Sequence, residues 1–191
     1  MPSVELTTKP NEQVEGDILF YKRHAIWHMV DRCDRWHAAE EIPTKEFASI
    51  RRAIENCWIK IYGAPKYLVV DGEGAIAHAG GEPTAEAAEF LKHHGITPRI
   101  RAPDQHARMI ERRGAILRHS MHTTEEQLVR EGIRVELSAL LAECVFSGNS
   151  LLSYNGVTPY NARFGRQPRL LPDLHAPVSY THLTLPTKRI V

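Results

Sequence analysis

The chain has 191 residues and a mass of 21.6 kDa, enough for one domain with a real core and too little for two full-sized ones. Hydrophobic residues at 42% and charged residues at 25% exclude wholesale disorder, a fibre and a disulfide-rich mini-protein. The formal net charge is only +1, so a nucleic-acid partner would have to be held by a local patch.

Residues 1–13 are polar, contain two prolines and read as an arm; they carry neither the basic region nor the apolar run of a secretory signal. Val14–Arg23 (VEGDILFYKR) is β-rich around Asp17, Ala25–Val30 (AIWHMV) is a second strand, and Trp36–Ile42 (WHAAEEI) a weaker third. Short connections make these an antiparallel meander. A helix starts at Pro43–Thr44, with Thr44 as its cap, and Phe47, Ile50, Ile54, Cys57, Trp58 and Ile61 recur at helical spacing until Gly63-Ala-Pro65 stops it. Tyr67–Val70 is all apolar, as expected of a strand buried on both faces. The turn Asp71-Gly-Glu-Gly74 follows, then a helix over Pro83–His94 closed by Gly95, and a fifth strand over Ile96–Arg101. Pro103–His106 is a loop, Ala107–His122 is helical, and a longer helix covers Val135–Phe146. Thr158-Pro159 is a cap followed by a first-turn proline. The order predicts an α/β fold: a mixed five-stranded sheet, three strands antiparallel and two reached by helical crossovers, flanked by helices.

The expected organisation is an arm (1–13), a core (14–147), a post-core extension rich in turn and cap signals (148–177) and a tail (178–191). The tail, VSYTHLTLPTKRIV, resembles a translated sequencing adapter and is set aside as non-native; without it the net charge is −1. No apolar run approaches the roughly 18 residues of a membrane span. Three widely separated cysteines, Cys33, Cys57 and Cys144, suggest reduced thiols in an intracellular protein.

Three carboxylates stand out by position. Asp17 lies within the first strand, Asp71 ends the buried fourth strand, and Glu111 lies on the helix after the fifth. If the fourth strand returns beside the first, Asp17 and Asp71 become neighbours, with Glu111 supplied from above. Three converging acids repel unless divalent cations neutralise them, and hard oxygen ligands suit Mg²⁺ or Mn²⁺. By spacing alone, the same residues also read as an edge residue, an end-of-strand turn and half of a solvated Glu–Arg pair.

The chain resembles the catalytic core of a retroviral or retrotransposon integrase, a D,D,E polynucleotidyl transferase of RNase H-like fold, from Val14 to Pro172. The matching pieces occur in order: EGDILFY, HMVDRCDRW, KYLVVDGEG, ARMIERRGAIL, then Asn149, GVTPYNARFGRQP and LLP. The resemblance implies that Asp17, Asp71 and Glu111 are the catalytic and metal-binding triad, holding two Mg²⁺ (or Mn²⁺) ions; Asp31, at the end of the second strand, matches a non-catalytic position. It implies DNA strand transfer, with element ends and target DNA as partners, self-association, and no membrane or small-molecule substrate. Action in the nucleus is implied if the element is eukaryotic. Three departures stand out. Between Asp71 and Glu111 lie 39 residues, against 35 in the usual retroviral pattern. Glu73 adds negative charge beside the second Asp, and Ala107-Arg108 replaces an Asn-Gly pair. An RNase H-like nuclease, or an inactive DNA-binding or self-associating remnant, are the alternatives.

From Arg99 to Arg118 six arginines face only Asp104 and Glu111. Arginine suits phosphate contacts, and Arg118, Arg108 and Arg112 are the candidate DNA contacts, Arg118 first because Glu111, Ala115 and Arg118 share one helix face. Gly114 in mid-helix costs about 1 kcal/mol relative to alanine, which close approach by DNA or another helix would explain. His24 and His28 are spaced HxxxH, but on a hairpin. His93 and His94 suit a helix C-terminus, and His119 and His122 read as solvent-facing. Trp27, Trp36 and Trp58 read as core or subunit-interface anchors.

Overall fold

The computed structural model describes residues 7–71, 75–78, 81–101 and 108–169. Five strands, β1 (Gln13–Tyr21), β2 (His24–Asp31), β3 (His37–Ile42), β4 (Tyr67–Asp71) and β5 (Thr97–Arg101), form one sheet in the order β3-β2-β1-β4-β5. The pairs β1–β2 and β2–β3 are antiparallel, and β1–β4 and β4–β5 are parallel, as the element order predicts. The β1–β2 hairpin turns through Lys22, whose positive φ of 54° supplies the tight reversal.

The period of two along the strands divides the core between two faces. Val14, Trp27, Met29, Leu68 and Val70 join one cluster with Phe47, Ile50, Ile54, Trp58, Phe90 and Leu91. Leu19, Tyr21 and Ile26 join another with Leu117, Met121, Leu140, Leu141 and Cys144. All three tryptophans are buried in the domain core.

The first face is covered by α1 (Phe47–Ile54), which continues through a π-helical stretch (Glu55–Ile59) into α2 (Lys60–Tyr62), and by α3 (Ala85–His93). Glu46, not Thr44, occupies the N-cap of α1, and no side chain caps it. The Thr44 hydroxyl instead lies 2.9 Å from that of Ser49, because the chain takes extra residues to leave the sheet edge. Thr84 caps α3 by accepting from the Ala87 amide, and Gly95 closes it at φ 66°. The second face carries α4 (Arg108–Arg130) and α5 (Leu137–Leu151). The helix after β5 therefore runs past His122, because Met121, Thr124 and Leu128 still meet the sheet and α5. Thr158 caps the short α6 (Pro159–Phe164), with Pro159 in its first turn. The Pro103–His106 loop, Ala107 and the tail lie outside the described residues.

Candidate active site

The acidic edge follows from strand register. β1 and β4 pair in parallel from Gln13–Tyr67 to Glu15–Val69. Carried on by two residues, that register sets Asp17 level with Asp71. The third acid arrives because α4 runs along one face of β1. The Ile110 amide donates to Glu15 (3.3 Å), Gly114 lies against Leu19, and Tyr21 Oη donates to Glu125 (2.6 Å). Asp17 sits between Glu15 and Leu19, so the first turn of α4, which carries Glu111, passes beside it.

The electrostatics agree with that convergence. Asp17 is half-buried, and its pKa is raised to about 6, chiefly by burial, with added repulsion from Asp71 and Glu111. The Ile18 amide, donating to Asp17 Oδ1 at 2.7 Å, and the charge of Arg101 oppose the rise. Asp71 and Glu111 are exposed. A cavity of about 330 Å³ opens at this edge, lined by Asp17, Asp71 and Lys45 with Trp27, Val70 and Ile76 among its apolar walls. Gly16 is required there: a Cβ would lie 2.5 Å from the Trp27 ring.

The donor set is oxygen alone and carries mutual repulsion, the chemistry that a hard divalent cation relieves. Among the described residues, however, no group of three His, Cys, Asp or Glu side chains is drawn tightly enough to form a ready ligand set. Asp71 is engaged by a cation of the chain: Arg101 Nη1 lies 3.5 Å from Asp71 Oδ1. Gly72, Glu73 and Gly74 lie outside the described residues.

Sequence reasoning missed Glu15. It is 1% exposed, and takes Arg32 Nε on one oxygen and Arg101 Nη2 on the other, each at 2.9 Å. Arg101 thus ties the buried Glu15 to Asp71, while Glu15 also holds the start of α4 through Ile110. One carboxylate anchors three of the elements that present the acids. Its signal was spacing: Glu15 and Asp17 stand two apart on one strand face.

Asp31, the alternative first acid, is fully buried at the end of β2. It accepts from the amides of Asn11 (2.6 Å) and Cys33 (2.8 Å) and from Arg163 Nη2 (2.9 Å). Arg163 on α6 also pairs with Asp34 at 2.6 Å and stacks near the Tyr62 ring. Asp31 is therefore a satisfied structural group, far more enclosed than Asp17.

On α4, Glu111, Ala115 and Arg118 are all exposed, so the shared face of the spacing argument is a solvent-accessible one. Arg112 is exposed as well; Arg108 opens the helix, and its side chain lies outside the described residues, as does Asp104. Gly114 is explained by the sheet rather than by DNA or another helix: a Cβ would lie 3.0 Å from the His28 ring on β2. His28 and His37 form a buried pair, Nδ1 to Nε2 at 3.2 Å. Burial holds both imidazoles neutral, His28 at about 3, and the Arg113 charge reinforces it. His24 lies 2.7 Å from Glu41, and the HxxxH spacing forms no shared site. His119 and His122 are exposed, as expected.

By sequence, no family model and no curated protein matches the chain. Solved structures do. The intasome of simian T-cell lymphotropic virus superposes with a TM-score of 0.71 at 18% identity, covering 89% of this chain and 59% of that one. The catalytic core domain of BIV integrase gives 0.65 at 18% identity, covering 80% and 93%. The HTLV-2 integrase catalytic core domain in complex with magnesium, in its dimeric form, gives 0.64 at 17% identity, covering 79% and 94%. The mixed five-stranded sheet and its flanking helices are those of the retroviral integrase catalytic core, an RNase H-like fold.

Proposed function

We propose that this chain is the catalytic core of a retroelement integrase, joining DNA strands by divalent-metal-dependent phosphoryl transfer. The observation that carries the reading is the charge coupling of Asp17 to Asp71 and Glu111, within a fold shared with integrase cores. Asp17 and Asp71 would hold one Mg²⁺ or Mn²⁺, and Asp17 and Glu111 a second. Two such ions supply an activated water or hydroxyl and neutralise the leaving oxygen. The protein's own contribution is positioning. Register sets Asp17 beside Asp71, Glu15 fixes the start of α4, and Arg101 restrains Asp71. Arg118, Arg112 and Arg108 would contact phosphates along the exposed face of α4.

DNA ends and target DNA are the proposed partners, in an intracellular setting. Self-association is proposed from the dimeric and trimeric forms of the HTLV-2 core. The test is a strand-transfer assay with labelled duplex ends in Mg²⁺ or Mn²⁺, scoring cutting and joining separately. Joining that requires the metal and is lost in Asp71→Asn is the expected result. Full activity in Asp71→Asn overturns the assignment, and cutting without joining assigns a nuclease.

One observation favours a second reading, an inactive remnant that binds DNA or itself: Asp71 leans on Arg101 instead of standing free for a cation. Calorimetric titration with Mn²⁺ in the presence of DNA separates the two. No heat of binding supports the remnant.

A further inference from the structure

A second recess, of about 370 Å³, is lined by Val30, Arg35, Met109, Arg112, Arg113 and Tyr154. Three arginines line it, and among the described residues no acid does. Among the described residues, Arg35, Arg112 and Arg113 pair with no carboxylate, whereas Arg32, Arg101 and Arg163 each do.

Arg113 is the informative member. It is 3% exposed, and Nη2 donates to Asn149 Oδ1 at 3.0 Å. Among the described residues, Nε and Nη1 are buried with no hydrogen-bond partner. A buried cation without a counter-charge costs several kcal/mol. Burial pushes its pKa down, and only the Tyr154 side chain opposes that. The nearby imidazoles of His28 and His37 offer no negative charge. Packing holds the guanidinium in place: a Cβ on Gly148 would lie 3.1 Å from Nη2. Arg35, at φ 65° in the turn after β2, reaches α4 by donating from Nη1 to Met109 Sδ at 2.6 Å, and exposed Arg112 stands beside Arg113 on α4.

We propose that Arg35, Arg113 and Tyr154, with Arg112 at their side, form a binding site for a phosphoryl oxyanion, either a DNA phosphodiester or free phosphate. Forked guanidinium donors and a phenolic hydroxyl match its several acceptor oxygens. The site stands on the recess and not on the metal chemistry proposed for the carboxylates. A chain without strand-transfer activity leaves it intact.

The experiment uses the full chain in metal-free buffer. Inorganic phosphate is titrated against sodium chloride of equal ionic strength, read by thermal unfolding. A labelled duplex is titrated in parallel, read by anisotropy across a salt series. Arg35→Gln and Tyr154→Phe are the main variants, since Arg113→Met alters a buried packing position. The expected result is a phosphate-specific rise in Tm that weakens about fivefold to tenfold in apparent affinity in Arg35→Gln. If the occupant is a DNA phosphate, Arg35→Gln also weakens duplex binding about tenfold and lowers the salt slope by about one. A phosphate response with unchanged duplex binding assigns the site to free phosphate. A duplex response alone assigns it to DNA. If neither variant changes either titration, the proposal fails.

Discussion

Two acidic groups lie three register positions apart along the β1–β2 pair, Asp31 level with Val14 and Asp17 level with His28, and live under different conditions. Asp31 and Asp34, at the end of β2, are buried and share Arg163, with backbone amides taking further oxygens. Asp17, Asp71 and Glu111 lie toward the edge where β1, β4 and α4 meet; Arg101, the cation against Asp71, is already committed to Glu15, and Lys45 lines the same cavity. The first group is held by Arg163 and backbone amides and ties β2, the following turn and α6 together. The second keeps a repulsion that the Ile18 amide and Arg101 offset only in part. Under the proposed function, the second group is where a cation would bind.

Breaking the satisfied group gives the largest effect. Arg163→Met leaves Asp31 and Asp34 buried without their cation and is expected to cost about 3–5 kcal/mol in urea unfolding. Gly16→Ala drives a methyl into the Trp27 ring and is expected to cost about 1–3 kcal/mol.

At the acidic edge the sign reverses. Asp17 carries a folded-state pKa of about 6 against an ordinary aspartate value of 3.8, so folding favours its protonated form. Below pH 3.8 the carboxyl is neutral in both states and folding incurs no penalty. As pH rises from there to about 6, the penalty grows, and above 6 it is complete. Asp17→Asn is therefore expected to stabilise the metal-free chain at pH 8 by about 1 kcal/mol, discounted for its solvent-facing part, and to give no gain near pH 3.5. Unfolding curves at the two pH values check this.

The smallest effect sharpens the comparison most. Mg²⁺ at a concentration equal to its Kd is expected to add about 0.4 kcal/mol, a Tm rise of about 1 °C. Glu111→Gln should remove that rise, while Asp34→Asn, a member of the other group, should leave it in place.

Much of the fold was legible because its signals are local. Alternation in VEGDILFY, the all-apolar YLVV and the Thr84 and Thr158 caps each announce an element within a few residues. The extent of α4 was not, since residues beyond His122 are mostly polar and stay helical by meeting β1 and α5, as Tyr21 does with Glu125. Gly114 was noticed for its cost, but its partner, His28, lies 86 positions away and could not be read from spacing.

What the sequence determined by itself is the set of strands and helices and the shortlist of acids, because periodicity and caps are properties of neighbouring residues. Only the tertiary structure decided which acid has a counter-charge. Asp31 and Asp17 look alike as letters. Arg163 and Arg101, brought in from distant parts of the chain, make one a buried strut and leave the other under repulsion. Charge balance depends on distances through space, and those exist only once the sheet has closed.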